Sequence, residues 1–312
     1  MVKAALAPAD NSLIRAQFSQ AKLSGAHVLL LGFGKLNQAL ARELLELGCR
    51  VTAVSRTLKT GLKMSCVRQI LGDLSDPVFM AKLAGLLKDD PLAAATIAVT
   101  PDGRSIKHYQ KTYLGIACSV SDLLAAHDCR VVQISSTGVF AQDSGEHITE
   151  LSPPTLSSPK AQILYRTEAL YSSALDDRLT VVRPSGIYGD DRRYLIRGAI
   201  KAEDLTANHW TNRIHERDLV AVVLYALSLE QPEPVLLATD LAPVTKEVAV
   251  NWIRSVLGLP ELTPDYAPAS GKRLKSLKLP DALFAYPSYR EGYGHAELAP
   301  ERAELTQASS SH

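Results

Sequence analysis

The chain has 312 residues, of which 46% are hydrophobic and 21% charged, and its formal net charge at pH 7 is +1. Such a composition is typical of a globular protein, and a charge so near zero gives no reason to expect a nucleic-acid or membrane-surface partner. No apolar run approaches the ~20 residues of a membrane span, and the N-terminus has no signal-peptide pattern. We therefore expect a cytoplasmic protein whose cysteines are buried free thiols, namely Cys49, Cys66, Cys118 and Cys129.

Short apolar runs alternate with helical patterns along most of the chain. The first run, over 27–34, ends in glycine, and leucines then recur at helical spacing until Gly48 ends the helix. The later helices include 113–126 and 160–174. Six further strands are predicted at 49–56, 65–74, 95–101, 129–136, 179–189 and 234–240. This alternation predicts an α/β fold, a Rossmann-type doubly wound parallel sheet.

The strand–helix rhythm breaks after Gly189. We expect residues 25–189 and 212–242 to form the dinucleotide-binding core, because they carry the strands. Extra segments beyond the carboxyl ends of the last strands are typical of a cap over the substrate, so 190–211 and 243–294 are assigned to a small C-terminal substrate-binding subdomain. Residues 1–24 and 295–312 are expected to be peripheral, with a mobile C-terminal tail.

A glycine-rich turn follows the first strand and opens a helix. Gly32 allows the tight turn, Gly34 lets the backbone approach a pyrophosphate, and the helix from about Lys35 supplies free N–H groups. Asn37 stands where a third glycine is usual, so helix and strand are expected to lie slightly further apart. The alternative is a plain tight turn, but this context favours a dinucleotide site.

The second strand ends in Ser55, Arg56 and Thr57, where an NAD enzyme usually has an acidic residue for the ribose hydroxyls. Two hydroxyls and a guanidinium would instead hold a 2′-phosphate, which favours NADP over NAD. Arg56 as a solvated surface charge is the alternative. Asp73, after the third strand, either accepts from the adenine amino group or caps the next helix.

Several motifs, in this order, resemble the extended short-chain dehydrogenase/reductase superfamily, and in particular its atypical NAD-dependent epimerase/dehydratase-like branch. They are GFGKLN, GDLSDP, ISSTGVF, Glu150 before PP, Glu168, VVRPSGIYG, NRIHERDL and ATDLAPVTKEV. The resemblance implies a Rossmann core, a small C-terminal subdomain and a bound nicotinamide dinucleotide. The remaining expected cofactor contacts are Phe33, Leu36, Leu74, Thr100, Pro101, Ser135, Pro184, Ser185 and Ile187.

The chain departs from this family at the catalytic residues. By the likeness, Ser136 stands at the catalytic serine, while the tyrosine and lysine positions fall on Lys160 and Leu164. No tyrosine in the chain has a lysine four residues on. A partly desolvated Lys160 could donate the proton instead, unless it is simply a solvated lysine at the helix start. Tyr165 is a weaker candidate, because it lies about 140° around the helix from Lys160.

Basic residues suggest where the substrate binds. Arg192 follows the sixth strand, and Arg213 and His215 lie on one side of an extended segment. With Thr137, they are expected to hold an anionic or polyhydroxylated substrate, and Tyr286 is expected to close the pocket. The alternative for His215 is a core histidine bonded to Asp218 or to the backbone. No metal-ligand spacing is present.

The sequence thus favours an NAD(P)-dependent oxidoreductase or epimerase that acts on a sugar-like or other hydroxy-carbonyl small molecule. The alternative is a non-catalytic NADP-binding redox sensor or regulator, which would explain why the tyrosine–lysine pair is missing. A homodimer is possible in either case.

Overall fold

The computed structural model describes residues 23, 25–61, 63–190, 192–205, 208–263, 270–294 and 297–310. Apart from Leu23, the predicted N-terminal extension lies outside these residues. The strands are β1 (His27–Leu31), β2 (Arg50–Ser55), β3 (Arg68–Leu71), β4 (Ala94–Ile97), β5 (Arg130–Ile134), β6 (His147–Ile148), β7 (Leu179–Pro184), β8 (Gly186–Tyr188), β9 (Trp210–Thr211), β10 (Arg213–His215), β11 (Val235–Ala238), β12 (Val244–Thr245) and β13 (Arg273–Leu274).

Ten α-helices accompany these strands within the described residues. They are α1 (Lys35–Glu46), α2 (Pro77–Leu87), α3 (Ile106–Tyr109), α4 (Gly115–Ala125), α5 (Pro159–Leu175), α6 (Tyr194–Lys201), α7 (Glu216–Ser228), α8 (Lys246–Leu257), α9 (Tyr289–Gly292) and α10 (Ala299–Ser310). A π-helical turn over Gln110–Leu114 joins α3 to α4.

The central sheet joins seven strands of the described chain in the order β11-β7-β5-β4-β1-β2-β3, and every neighbouring pair is parallel. All seven predicted strands are present, so the predicted α/β Rossmann-type fold is confirmed. The strand order reverses between β1 and β4, and in such sheets the ligand crevice lies at the carboxyl ends of the strands beside this reversal.

Local sequence explains where several helices begin and end. The Asp76 side chain accepts a hydrogen bond from the N–H of Val78 before α2, and the Ser158 side chain accepts one from the N–H of Ala161 before α5. Each cap is followed by proline at the first helical position, where a missing N–H costs nothing. Gly48 follows α1 with a φ of +78°, so the predicted helix end is confirmed.

Two apolar clusters cover the two faces of the sheet. One includes Leu40 and Leu44 of α1 with Val222 of α7, and the other includes Leu83 of α2 with Leu124 of α4. All of these side chains are fully buried. Because both faces are covered, every residue of β1, β4 and β7 is buried.

A separate cluster forms where the strand–helix rhythm breaks. It joins Ile196 and Ala199 of α6 to Ile253 of α8 and to Tyr289 and Leu298 further along the chain. The two predicted subdomain segments therefore share an apolar cluster, and their assignment to one substrate-binding unit stays a prediction.

The C-terminal segment departs from the predicted mobile tail. Leu298 is fully buried, and Arg193 forms a bidentate ion pair with Glu301 of α10. The expectation failed because the chain ends in small polar residues, and the few residues that attach this helix to the subdomain do not stand out in that sequence pattern.

The cysteines correct a second expectation. Cys49 and Cys129 are buried, but Cys66 and Cys118 are exposed, and all four are free thiols. No helix among the described residues is long and apolar enough to cross a membrane.

Glu150 connects distant parts of the chain. Its carboxylate accepts hydrogen bonds from the N–H of Leu237 in β11 at 3.1 Å and from the N–H of Leu277 at 2.9 Å. The Ser276 hydroxyl also donates to it. The acidic landmark before PP in the sequence therefore attaches the segment after β13 to the edge of the sheet.

Candidate active site

The glycine turn between β1 and α1 has two glycines with different requirements. Gly32 has a φ of +84°, and a Cβ placed there would lie 2.4 Å from the Ala98 carbonyl oxygen, so only glycine fits. A Cβ on Gly34 would meet no protein atom within 4 Å. Gly34 precedes Lys35 at the start of α1 and supplies no side-chain cap. Open space at Gly34, next to the start of a helix, is what the predicted pyrophosphate cradle requires.

Asn37 replaces the third glycine with a polar link. The side chain is buried, its amide donates to the Gly32 carbonyl at 2.7 Å, and its amide oxygen accepts from the Thr96 hydroxyl at 3.0 Å. These bonds hold the turn against both β1 and β4. Asn37 therefore supports the cradle from behind and does not line it.

A cleft with a cavity volume of about 340 Å³ runs from this turn along the ends of β2, β3 and β4. Lys35, Leu36 and Pro101 were predicted contacts but are not among the residues that line it. The predicted contacts that do line it are Gly32, Phe33, Gly34, Ser55, Arg56, Thr57, Asp73, Leu74 and Thr100. Sequence reasoning missed Lys59, Asp102, Lys111 and Thr112.

Arg56 does not extend freely into this cleft. Its guanidinium donates to both carboxylate oxygens of Asp102, at 2.6 and 2.5 Å, and both side chains are exposed. The hydrogen bond from Arg56 lowers the pKa of Asp102, and the same contact raises the pKa of Arg56. A carboxylate after β4 therefore lies next to the cation at the end of β2.

Asp73 lies in the cleft, but it does not cap the next helix. Its carboxylate accepts from the N–H of Ser75 at 2.9 Å and from the Ser75 hydroxyl at 2.8 Å, which lowers its pKa. Asp76 is the residue that caps α2. The capping alternative is therefore wrong, and Asp73 closes a local turn at the cleft.

A second cavity of about 300 Å³ continues the cleft across the ends of β4, β5 and β7, where a nicotinamide ring would lie. The predicted residues that line it are Thr100, Ser135, Ser136, Pro184, Ser185 and Ile187. Its other lining residues are Val99, Tyr109, Tyr113, Ile134 and Leu164. Val99 and Thr100 line both cavities, so the two form one continuous site.

Ser136 has the geometry of a hydrogen-bond donor in this site. Its side-chain oxygen accepts from the N–H of Gly138 at 3.0 Å, which fixes its orientation. Its hydroxyl hydrogen has no acceptor among the described residues, so it is available for a substrate oxygen. Thr137, predicted beside it, uses its hydroxyl to bond the Pro184 carbonyl at 3.3 Å.

The two predicted proton donors on α5 lie elsewhere. Lys160 is half-buried and its Nζ lies 5.0 Å from the centroid of the Tyr109 ring, but it is not among the residues that line the cavity. Tyr165 is 38% exposed on the outer side of the helix, so the structure does not bring it to the site. Leu164 supplies an apolar wall where the family has its lysine.

A buried ion pair supports this end of the site. Arg183 of β7 donates to Glu168 of α5 at 3.1 and 2.6 Å, and both side chains are 5% exposed. The hydroxyl of Ser135 also donates to Glu168. The pair therefore joins β5, α5 and β7 directly behind Ser136.

The predicted substrate residues do not line an open pocket. His215 is fully buried, stacks on Tyr286 with ring centroids 3.7 Å apart, and accepts from the N–H of Arg217 at 3.2 Å. Burial lowers the pKa of His215 to about 4. The alternative of a core histidine bonded to the backbone describes it, and Tyr286 is buried against it instead of closing a pocket.

The two arginines lie away from the cleft as well. Arg213 is buried below the Tyr289 ring and its guanidinium donates to the Thr211 hydroxyl. The backbone N–H of Arg192 donates to the Gly189 carbonyl at 3.1 Å, and the residue lines neither cavity. The pattern was misleading because an arginine and a histidine two residues apart also suit a buried polar strand.

The buried strand β10 has acidic neighbours that sequence reasoning missed. Asp218 accepts from the N–H groups of Ala285 and Tyr286, and burial raises its pKa to about 6. Burial also raises the pKa of Asp240 to about 7, although the nearby Arg213 opposes this. The Asp218 carboxylate therefore joins α7 to the segment at Ala285 and Tyr286.

Comparison with known proteins finds similar solved structures. No protein-family model matches the chain, and no curated protein matches it. Among solved structures, a protein from Methylobacillus flagellatus described as an NAD-dependent epimerase/dehydratase is 28% identical, with a TM-score of 0.74 over 89% of this chain and 100% of that one.

Two more distant neighbours have stated activities. The Thermotoga maritima UDP-glucose 4-epimerase, solved with UDP-glucose, is 17% identical, with a TM-score of 0.70. The Bacillus cereus UDP-glucuronic acid 4-epimerase, solved with NAD, is also 17% identical, with a TM-score of 0.68. Each match covers 89% of this chain and 99% of the other, and at this identity it shows the fold alone.

Proposed function

We propose that this chain is an NAD(P)-dependent oxidoreductase or epimerase of the extended short-chain dehydrogenase/reductase superfamily, and its likeness to a structure described as an NAD-dependent epimerase/dehydratase supports this. Its substrate is a sugar-like or other hydroxy-carbonyl small molecule. One observation carries the proposal: a continuous cleft leads from the open space at Gly34 to the free hydroxyl of Ser136. The alternative of a non-catalytic regulator is not favoured, because the solved neighbours with stated activities are enzymes.

The residues present fit a nicotinamide dinucleotide. The turn at Gly32–Gly34 and the start of α1 would hold the pyrophosphate, and Thr100, Ser135 and Ser185 would surround the nicotinamide end. When bound, the cofactor accepts or supplies the hydride equivalent. Ser136 would donate a hydrogen bond to the reacting substrate oxygen and so hold it in place.

NADP is the proposed cofactor, with NAD less favoured. Arg56, Lys59 and Lys111 line the adenosine end of the cleft, with the hydroxyls of Ser55 and Thr57 beside them. A 2′-phosphate can bind such a group of cations and hydroxyls, provided that Arg56 leaves Asp102. We expect NADPH to bind more tightly than NADH, and Arg56→Asp to lower NADPH affinity at least tenfold.

The remaining assignments are also proposals. A homodimer is one of them. We assign the substrate side of the cavity to the surroundings of Ser136, Thr137 and Tyr113, because the predicted arginines lie away from the cavity.

Gly34→Ala tests the proposal with a matched control. A Cβ at Gly34 would enter the open space of the cradle, so NADPH affinity, measured by fluorescence titration, should fall more than tenfold while the melting temperature stays close to wild type. Gly85→Ala adds the same atom to an exposed helix position with no neighbour within 4 Å and should not alter binding. NADPH affinity equal to wild type in Gly34→Ala would contradict the site.

Turnover is tested separately. Absorbance at 340 nm would follow NADPH oxidation across a panel of carbonyl compounds, and chromatography would follow interconversion of UDP-glucose and UDP-glucuronic acid with their epimers. A chain that binds NADPH tightly and turns over no member of the panel would contradict the enzymatic part.

A further inference from the structure

Two tyrosines project into the nicotinamide end of the site from a segment that has no part in the family's tyrosine–lysine motif. Tyr109 ends α3 and Tyr113 lies in the π-helical turn that follows it. Both line the same cavity as Ser136, with their ring centroids 5.4 Å apart. Single π-helical turns inside helices are rare and often occur at functional sites.

The lysine at the family's tyrosine position contacts one of these rings. Lys160 begins the first turn of α5, and its Nζ lies 5.0 Å from the Tyr109 centroid. A lysine therefore lies against a tyrosine that lines the cavity, although the lysine does not line it and neither residue occupies its usual place. The tyrosine comes from the α3 segment, and the lysine occupies the position where the tyrosine would be.

The two tyrosines differ in their surroundings. Tyr113 packs against an apolar cluster that includes Val139, Phe140 and Leu164, and burial raises its pKa to about 12. Such surroundings oppose the tyrosinate form that proton transfer requires. Tyr109 is half-buried, lies outside that cluster, and has the positive charge of Lys160 against its ring.

We propose that Tyr109 is the proton-transferring catalytic residue of this site, and that Lys160 is a positioning residue that holds its ring. The inference rests on the proposed function. In the oxidising direction, the C–H and O–H bonds of a substrate carbinol break and a carbonyl forms. A bound nicotinamide cofactor would accept the hydride, and Tyr109 in its tyrosinate form would take the proton and pass it to water. Ser136 bonds the same substrate oxygen throughout.

Conservative variants test the proposal on whichever compound of the panel wild type turns over. Tyr109→Phe should lower kcat by about 10²–10⁴-fold and leave the NADPH dissociation constant within about threefold of wild type. The 90% exposed Tyr194 provides the control, and Tyr194→Phe should match wild type. Tyr113→Phe separates the two candidates: a larger loss of kcat there than in Tyr109→Phe would overturn the proposal.

The role of Lys160 has its own readout. Lys160→Met should lower kcat and leave KM and the NADPH dissociation constant near wild type, because the Tyr109 ring loses the side chain that holds it, and Lys160→Arg should restore kcat. A kcat equal to wild type in Lys160→Met would refute this role for the lysine.

Chemical labelling gives a readout that does not depend on turnover. Tetranitromethane should nitrate Tyr109 in the free protein, as located by mass spectrometry, and saturating NADP⁺ should protect it while Tyr194 stays reactive. Equal nitration of Tyr109 with and without NADP⁺ would overturn the inference when fluorescence shows that the nucleotide is bound. Failure of wild type to bind NADPH or NADH would instead mean that the proposed function is wrong.

Discussion

Removing Glu168 should be one of the most destabilising single changes in the chain. In Glu168→Met the Arg183 guanidinium stays in a site where its side chain is only 5% exposed, and it loses two charge-assisted hydrogen bonds. The Ser135 hydroxyl loses its acceptor as well. Leaving one member of a buried pair without its partner typically costs about 3–5 kcal/mol of unfolding free energy.

The cost converts to a measurable change in melting temperature. With an unfolding entropy of about 2.1 cal/mol/K per residue, a chain of 312 residues should lose about 5–8 °C. Thermal unfolding followed by circular dichroism, without nucleotide, would measure it. Glu168→Met combined with Arg183→Leu removes both charges and should recover most of the loss, because apolar replacements of buried pairs are often neutral.

An exposed ion pair provides the control. Lys278 lies 3.2 Å from Glu233, with side chains 40% and 33% exposed, so Lys278→Met should cost less than about 1 kcal/mol. A melting temperature for Glu168→Met within 2 °C of wild type, or a double variant as unstable as the single one, would refute the reasoning.

Two further predictions concern acidic groups. Asp102→Asn frees Arg56 and removes a negative charge beside the expected 2′-phosphate, so fluorescence titration should show NADPH binding about three- to tenfold tighter and NADH within twofold. The exposed Asp128→Asn should change neither value, and unchanged NADPH affinity in Asp102→Asn would contradict this account. Burial raises the pKa of Asp240 to about 7, so the folded chain keeps a proton there that the unfolded chain loses near pH 4. The stability of wild type relative to Asp240→Asn should therefore fall as the pH rises from about 4 to 7, and it should not change further above pH 7. Arg213, Asp218 and Glu291 surround this group, and urea unfolding at several pH values would test it, since a difference that does not vary with pH would count against the assignment.

The fold was predictable because its signals are local. Buried parallel strands are continuous apolar runs, and the turn at Gly32 and Gly34 follows the first of them directly. Nine predicted contacts line the cleft beside Gly34 for the same reason, since they lie at strand ends, and their contact with a cofactor stays a prediction. These signals require no knowledge of which distant residues meet.

The remaining features depend on contacts between distant segments. Asp102 meets Arg56 only because β4 and β2 flank β1 in the sheet, and sequence spacing does not contain that order. Tyr109 and Tyr113 reach the cavity through a π-helical turn, which hydrophobic periodicity does not reveal. Arg213 and His215 were assigned to the substrate because basic side chains suit an anionic or polyhydroxylated ligand, whereas both are buried.

The bonds of Glu150 also have a consequence for the order of folding. This carboxylate joins residues that are 87 and 127 positions away along the chain. Closing loops of that length costs conformational entropy before any contact forms, and such non-local contacts form slowly. Glu150 can accept all of these hydrogen bonds only after β11 has joined the sheet. The segment at Ser276 and Leu277 should therefore dock late during folding and detach early during unfolding. Loss of the Glu150 side chain should then raise the rate of unfolding more than it lowers the rate of folding.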